Sequence, residues 1–410
     1  MRNIYSALDI GSDSIKLVCG EFIHGKLNVL CAEKTYSLGY QNNVINDKDE
    51  LVSSIKKLVN ECSEKLGFNI RKVLLSVPVT YTDFYYTEGK EEITSEDYRV
   101  TSDNIINVLK NAARGNIPAN EELIQAIPVM FRVDSEESKT PLGLKGENLF
   151  VKAMLVASDK RFIYEFIKVV SEAGIEVVDI MHSALADYAN FDTSLDSKTG
   201  ALINLGNTST SVGIFSKGIL INSEILNLGG YELDRDIGLK YNLKRSDAKM
   251  VKEKFALASV KNASNKEQMK LTDKNGENII ISQRNVSELV SNRLKEVLKL
   301  AKKTINHLTK KEISYIIVTG GLTELRDAPL VIHEEFGNKA RLGMINYVGA
   351  RYNGYSTCIG MLLYFYSKLR LRDKEFCMIT DDDIDTLVNG AREVTNDSIL
   401  GKVFGYFFDN

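Results

Sequence analysis

A chain of 410 residues with 44% hydrophobic content is long enough for two sizeable cores. Its 52 Lys and Arg against 55 Asp and Glu leave a formal charge of −3, which excludes a whole-protein positive field and hence a nucleic-acid partner. The five scattered cysteines have no close pair and no histidine at ligand spacing, which fits a reducing cytosol and not structural zinc; no signal-type start or membrane-spanning apolar run is present, so neither export nor a transmembrane segment is expected.

Three short apolar runs open the chain, Ile4 to Ile10, Ile15 to Phe22 and Leu27 to Lys34, with turn residues between them, and predict an antiparallel meander. A helix follows over Lys48 to Leu66, where Leu51, Ile55, Leu58, Val59 and Cys62 recur at helical spacing, and then a buried strand, Lys72 to Val77. The next stretch carries a helix near Asp103 to Ala113 and strands at Leu123 to Val133 and Leu149 to Ser158, and reads as an inserted subdomain. A helix over Phe162 to Ala173, ended by Gly174, returns the chain to the first domain. The meander then recurs: Ala201 to Asn204, a turn at Gly206 to Ser209, Thr210 to Phe215, Lys217-Gly218, and Ile219 to Leu226. Two occurrences are too few for a solenoid and indicate a duplicated domain. Lys261 to Asn278 is polar and turn-rich, an exposed hairpin tip or loop, and a long helix over Val286 to Leu308 precedes the strand Tyr315 to Val318. From Asp373 the sequence turns polar and acidic, as a linker does.

Asp9-Ile10-Gly11-Ser12-Asp13-Ser14-Ile15-Lys16 sets a carboxylate at a strand end, Gly and hydroxyls in the turn, and a Lys on the return strand. Such a hairpin can aim backbone N–H groups at an anion, with Asp9 holding a hydrated Mg²⁺ and Lys16 facing phosphate; most sequences of this kind are ordinary turns. The second turn, Asn204 to Thr210 with Gly206, Asn207, Thr208 and Ser209, is of the same type and equally reads as a plain hairpin when taken alone. With Thr319-Gly320-Gly321-Leu322 ending a strand, the two turns point to a nucleotide cleft in which a helix carrying Lys252 borders the base.

The order Asp9-x-Gly11-Ser12, Gly206 to Ser209, Thr319-Gly320-Gly321 resembles the phosphate-1, phosphate-2 and adenosine motifs of the actin, Hsp70 and sugar-kinase superfamily. Within it the chain resembles the FtsA family of bacterial cell-division actin homologues, through Cys19-Gly20-Glu21, Ile127-Pro128, Pro141-Leu142-Gly143, Ala173-Gly174-Ile175-Glu176, Leu228-Gly229-Gly230 and the segment Tyr347 to Tyr364. The resemblance implies an α/β fold of two duplicated actin-like (ribonuclease H-like) domains around a nucleotide cleft. Subdomain 1A then falls at 1–83 and 162–195, an inserted subdomain 1C at 84–161, 2A at 196–230 and 315–346, and 2B at 231–314. A return helix to 1A follows at 347–372, a flexible linker at 373–397 and an amphipathic membrane-targeting helix at 398–410. ATP and Mg are the implied cofactors, with Gly229 and Gly230 joining the nucleotide residues. Asn204 stands where the family usually has Asp, and Asn207 and Leu322 where it usually has Gly, so ATP binding with weak or absent hydrolysis is expected.

Ile399, Leu400, Val403, Phe404, Phe407 and Phe408 fall on one half of a helical wheel. A terminal core helix is the plain reading of that pattern; the acidic linker and the resemblance favour a helix lying on the cytoplasmic face of the cell membrane at the division site. The resemblance further implies self-assembly into filaments, later division proteins at 1C, and the FtsZ C-terminal peptide at 2B, where Lys244, Arg245, Lys249, Lys252 and Arg293 offer cations. A pilus-assembly relative and a small-molecule kinase of the same fold are the alternatives.

Overall fold

The computed structural model describes residues 3–78, 80–191 and 197–380. The expected membrane-targeting helix and most of the expected linker lie outside the described residues. The chain divides into two compact units, one formed by residues up to Asn190, Asn346–Arg351 and Thr357 onward, the other by Phe191–Ile345 and Tyr352–Ser356.

In unit 1 the predicted meander is β1 (Asn3–Ile10), β2 (Ser14–Ile23) and β3 (Lys26–Tyr36), followed by the small hairpin β4 (Tyr40–Gln41) and β5 (Val44–Ile45). The helix α1 (Lys48–Leu66) starts where the Asp47 side chain accepts from Glu50 N–H and stops at Gly67, whose φ of 76° suits glycine. Its periodic residues Leu51, Ile55, Leu58, Val59 and Cys62 are all buried on the sheet. β6 (Lys72–Val77) and β11 (Glu176–His182) complete that sheet in the order β11-β6-β1-β2-β3, parallel across β11-β6-β1 and antiparallel beyond.

Between β6 and β11 a second sheet is inserted, ordered β7-β10-β8-β9 from β7 (Thr82–Glu92), β8 (Glu121–Val133), β9 (Glu136–Ser138) and β10 (Asn148–Asp159). Helix α2 (Ser102–Ala113), opened by a Thr101–Asn104 capping box, lies on it. Gly89 makes that approach possible, because a β-carbon there would overlap the Val108 carbonyl oxygen. Helix α3 (Lys160–Glu172) packs back on α1, and α4 (Ser183–Tyr188) follows β11.

Unit 2 repeats the plan. β12 (Thr199–Leu205), β13 (Thr210–Ser216) and β14 (Ile219–Leu226) form the second meander, and β17 (Tyr315–Thr319) and β18 (Ala340–Leu342) extend it to β14-β13-β12-β17-β18. The strand order, the two antiparallel pairs and the two parallel pairs all match those of unit 1, so the duplication expected from two meanders extends to the whole sheet. Helices α5 (Gly230–Lys240), α6 (Arg245–Lys254), α7 (Gln283–Leu308) and α8 (Ala328–Phe336) cover this sheet through one core that includes Leu233, Val251, Val290, Leu298 and Val331. The polar stretch before α7 holds the ladder of β15 (Gln268–Thr272) with β16 (Asn278–Ser282). Helix α9 (Ser356–Leu371) brings the chain back to unit 1, where Phe365 meets Tyr5 edge-on and Tyr366 stacks on Phe22 at 4.0 Å. Beyond it, Met378 N–H donates to the Ile4 carbonyl and Ile379 joins the core beneath β1.

Candidate functional site

In unit 1 the antiparallel register sets Asp9 opposite Lys16 and Ile10 opposite Ile15, leaving Gly11, Ser12 and Asp13 as the turn and Ser14 at the start of β2. Lys16 Nζ donates to Asp9 Oδ2 at 3.0 Å and to the Ser14 carbonyl at 3.2 Å, while the Ser76 hydroxyl on β6 donates to Asp9 Oδ1 at 2.6 Å. Both oxygens of that carboxylate are therefore engaged by the protein. The Gly11 N–H donates to the Ser14 carbonyl at 3.2 Å and tightens the turn.

Beside this turn lies a carboxylate that the sequence reading did not single out. Asp187, in the small-residue helix α4, is fully buried and accepts from the Thr357 hydroxyl at 3.0 Å. The next residue, Cys358, approaches the Lys16 carbonyl with its sulfur at 3.6 Å. Burial holds the Cys358 thiol well above the usual range, and Asp9 and Asp187 both add to the push, so the two carboxylates share one electrostatic neighbourhood. The place is fixed by a close helix crossing: a β-carbon at Gly360 of α9 would overlap the Ala186 carbonyl of α4.

Unit 2 repeats the turn at atomic detail. The Gly206 N–H donates to the Ser209 carbonyl at 3.0 Å, the counterpart of the Gly11 to Ser14 bond, and a β-carbon at Gly206 would stand 2.7 Å from that oxygen. Thr208 is buried, and Thr210 Oγ1 donates to the Leu228 carbonyl at 2.8 Å, tying the turn to the approach of α5. At the start of α5, Gly230 and Tyr231 N–H groups donate to the Gly206 and Asn207 carbonyls at 3.0 and 2.8 Å. Gly229 has no room for a side chain, since a β-carbon would stand 2.5 Å from the Asn207 carbonyl and 2.6 Å from that of Gly206. From the β-carbon position of Gly230, Leu322 Cδ2 lies 3.1 Å away, Lys252 Nζ 3.2 Å and Asn207 Oδ1 3.4 Å. Gly206, Asn207, Gly229, Gly230, Lys252 and Leu322, far apart in sequence, thus converge.

Strand β17 ends beside this cluster. Gly320 has φ of 96°, and the Asn204 side chain and Leu205 backbone close on its α-carbon. The Thr323 hydroxyl donates to the Gly320 carbonyl at 2.7 Å and accepts from Asn353 Nδ2 at 3.0 Å, and Gly321 faces the Tyr352 hydroxyl. Leu322 itself is buried, and its side chain belongs to the unit 2 core while reaching the Gly230 end of the cluster.

Lys252 does not project from the surface. It is buried, donates to the Gly230 carbonyl at 3.2 Å and lies 2.7 Å from Asp234 Oδ1. Burial raises the Asp234 carboxyl above its ordinary value, and Lys252 pulls it back down. Lys252 therefore does not reach an acidic peptide. Of the other cations in this region, Arg293 is forked onto Asp236 at 2.8 and 3.1 Å, Lys249 lies 3.9 Å from Glu253, and Lys244 and Arg245 are exposed. The sequence reading did not single out Ser76, Asp187, Asp234 or Asn353. Asp187 and Asp234 carried one usable signal, a lone carboxylate inside an otherwise apolar helical face.

Comparison with known proteins agrees with this architecture. The profile of the family "Cell division protein FtsA" matches residues 201–360, and that of the "SHS2 domain inserted in FTSA" matches 80–157, together more than half of the chain. Relatives along the chain include the Cell division protein FtsA of Bacillus subtilis, 25% identical over 91% of this chain and 86% of its own length. That of Streptococcus pneumoniae is 26% identical over 88% of this chain and 79% of its own length. Among solved structures, a "PilM-PilN type IV pilus biogenesis complex" chain superposes with a TM-score of 0.59 at 14% identity, covering 88% of this chain and 98% of that one. MreB5 of Spiroplasma citri bound to ADP gives 0.53 at 14%, covering 90% and 98%. The fold is that of the actin-like proteins, two duplicated domains with a further subdomain inserted in the first. Within that class the chain belongs to the FtsA family.

Proposed function

We propose that this protein acts in cell division by binding ATP with Mg²⁺, assembling into actin-like filaments and tethering FtsZ filaments to the cytoplasmic face of the membrane. The observation that carries the nucleotide part is the repeated glycine turn, Gly11 to Ser14 and Gly206 to Ser209, joined in unit 2 by the glycines at 229, 230, 320 and 321. Turn and strand-end backbone that carries no side chain of its own can offer its N–H groups to a phosphate chain and let a ribose lie close. The residues proposed to contact nucleotide are Ser12, Asp13 and Lys16 in the unit 1 turn and Asn207, Thr208 and Ser209 in the unit 2 turn.

Among the described residues no group of three or more His, Cys, Asp or Glu is arranged to hold a metal. In the proposed complex a hydrated magnesium ion is carried on phosphate oxygens, with Asp9 holding it through water. Bound there, the ion would neutralise phosphate charge, and Lys16 would be free to turn from Asp9 to phosphate. In unit 1 the proposed role of buried Asp187 is to orient water; in unit 2 Asn204 offers an amide where the family usually has a carboxylate, which supports slow hydrolysis. The likeness to the pilus complex is one of fold at 14% identity, and the longer sequence matches favour the division role.

No helix among the described residues is long and apolar enough to cross a membrane, so the proposed contact rests on Ile399, Leu400, Val403, Phe404, Phe407 and Phe408. FtsZ docking is proposed on unit 2 beside Lys244 and Arg245, near the exposed Leu239. Co-sedimentation with anionic liposomes, with and without ATP and Mg²⁺, tests the whole reading. The full chain should pellet more strongly with nucleotide, and a chain ending at Asn396 should stay in solution. Equal behaviour of the two chains would refute the tail's role, and indifference to nucleotide would refute coupled assembly.

A further inference from the structure

Unit 1 holds a groove of about 540 Å³ between α2, β8 and the end of α9, within the ~300–1,000 Å³ range of ligand clefts. Its floor is apolar, with Ile106, Leu109, Ala113, Ile117, Leu123 and Leu371 among the lining residues. Its rim is cationic, with Lys110, Arg114, Lys160, Lys368 and Arg372. Lys160 is tied to the Ala119 carbonyl and Lys368 to Asp179, whereas Lys110 and Arg114 are exposed and form no ion pair among the described residues. The two glutamates of the lining are turned to tyrosines, Glu121 to Tyr85 and Glu122 to Tyr164, and offset the rim only in part. A groove that is apolar below and cationic above selects a segment with acidic residues beside an apolar face.

We infer that residues 381–410 of this chain are that segment and dock in this groove. The chain leaves α9 through the groove's own lining, Leu371 and Arg372, and the described residues end at Thr380. Next come Asp381, Asp382, Asp383 and Asp385, matched to the rim, and then the apolar set from Ile399 to Phe408, matched to the floor. Thr380 lies eight residues past Arg372, hence within ~28 Å of it. The roughly 18 residues from there to Ile399 span about 23 Å as a flexible chain, so the tether reaches. At an effective concentration of order 1 mM, a segment with a free affinity of only ~100 μM is docked about ten to one. The same apolar side chains cannot occupy the groove and another apolar phase at once, so docking makes every other contact of the tail conditional on its release. This holds whether or not the nucleotide and membrane readings do.

The test uses the full chain with p-benzoylphenylalanine in place of Phe404, irradiated at low micromolar concentration, with cross-links mapped by mass spectrometry in the monomer-mass product. Cross-links should fall on residues 105–128 and 364–372. They should drop at least fivefold in Lys110→Glu/Arg114→Glu and in Asp381→Lys/Asp382→Lys/Asp383→Lys, and return when the two sets are combined. Cross-links elsewhere in the chain, or none, overturn the inference. So do cross-links confined to dimer-mass product, which would make a second copy the occupant, or a yield unmoved by charge reversal. The unsubstituted map decides the matter even if a reversed variant folds poorly.

Discussion

The buried Lys252–Asp234 pair gives the sharpest energetic prediction. Their side chains are 5% and 1% exposed, and the ammonium also donates to the Gly230 carbonyl, so Lys252→Met strands a carboxylate in the core of unit 2. Removing one partner of such a pair costs about 3–5 kcal/mol. For a unit of this size each kcal/mol is worth ~3 °C, so its melting should fall by roughly 10–15 °C. Asp234 already titrates above its ordinary value because burial outweighs Lys252, and losing the cation raises it further. A carboxyl with a raised folded pKa favours the folded state below its unfolded value and loses that advantage as pH rises through the folded one. The deficit of Lys252→Met should therefore be larger at pH 8 than at pH 5. Replacing both residues, Lys252→Met/Asp234→Leu, leaves no stranded charge and should recover stability to within about 1.5 kcal/mol of the parent. Urea unfolding of the full chain at the two pH values checks this. A single substitution costing under about 1 kcal/mol, or a double costing the sum of two singles, would refute the claim that the pair is interdependent.

Other outcomes are expected from the same geometry. Gly229→Ala drives a β-carbon onto two backbone carbonyls and should cost about 2–3 kcal/mol and weaken ATP binding in a fluorescence titration, whereas Gly11→Ala meets first the mobile Lys16 ammonium at 2.9 Å and should cost about 1 kcal/mol. His182 is fully buried and its pKa is pushed from 6.5 down to about 3, so its contribution is intact above about pH 6.5 and is lost as pH falls toward 3. Stability should drop by about 2 kcal/mol between pH 7 and pH 5 from this group, and that part of the drop should vanish in His182→Gln. Asp187→Asn should leave ATP affinity within about twofold while lowering phosphate release at least tenfold; equal effects on both would deny it a role in orienting water.

The meanders and α1 were legible because their apolar residues recur at strand or helix period over a whole element, and both glycine turns lay between such runs. β7 was not, because its aromatic residues Phe84, Tyr85 and Tyr86 are consecutive and do not alternate, and the rest of Thr82 to Glu92 is polar apart from a glycine; only Thr87 and Gly89 turn fully inward. The polar stretch Lys261 to Asn278 reads as a hairpin tip or loop, and it contains the first strand of a hairpin, Gln268–Thr272, which pairs with Asn278–Ser282 across the turn. Lys252 is read from the sequence as bordering the base and as one of the cations open to a peptide; its carboxylate partner Asp234 lies on the preceding helix, a pairing that no periodicity reports. Asp187 was passed over for a similar reason, since its partner Thr357 comes 170 residues later.

The contact of Met378 with Ile4 and Ser6 sets an order of events during synthesis. Unit 1 draws its first strand from the start of the chain and its closing segment from 372 residues on, and the whole of unit 2 is encoded in between. At translation rates of ~5–20 residues per second, the N-terminal strands wait roughly 20–75 seconds before their final partner leaves the ribosome. Unit 2 has all of its strands and covering helices well before that moment. The unit that begins first is finished last, so nascent chains stalled with Ser356 just clear of the ribosome should carry a protease-resistant unit 2 beside an open β1–β2–β3 meander, the stretch most in need of a chaperone.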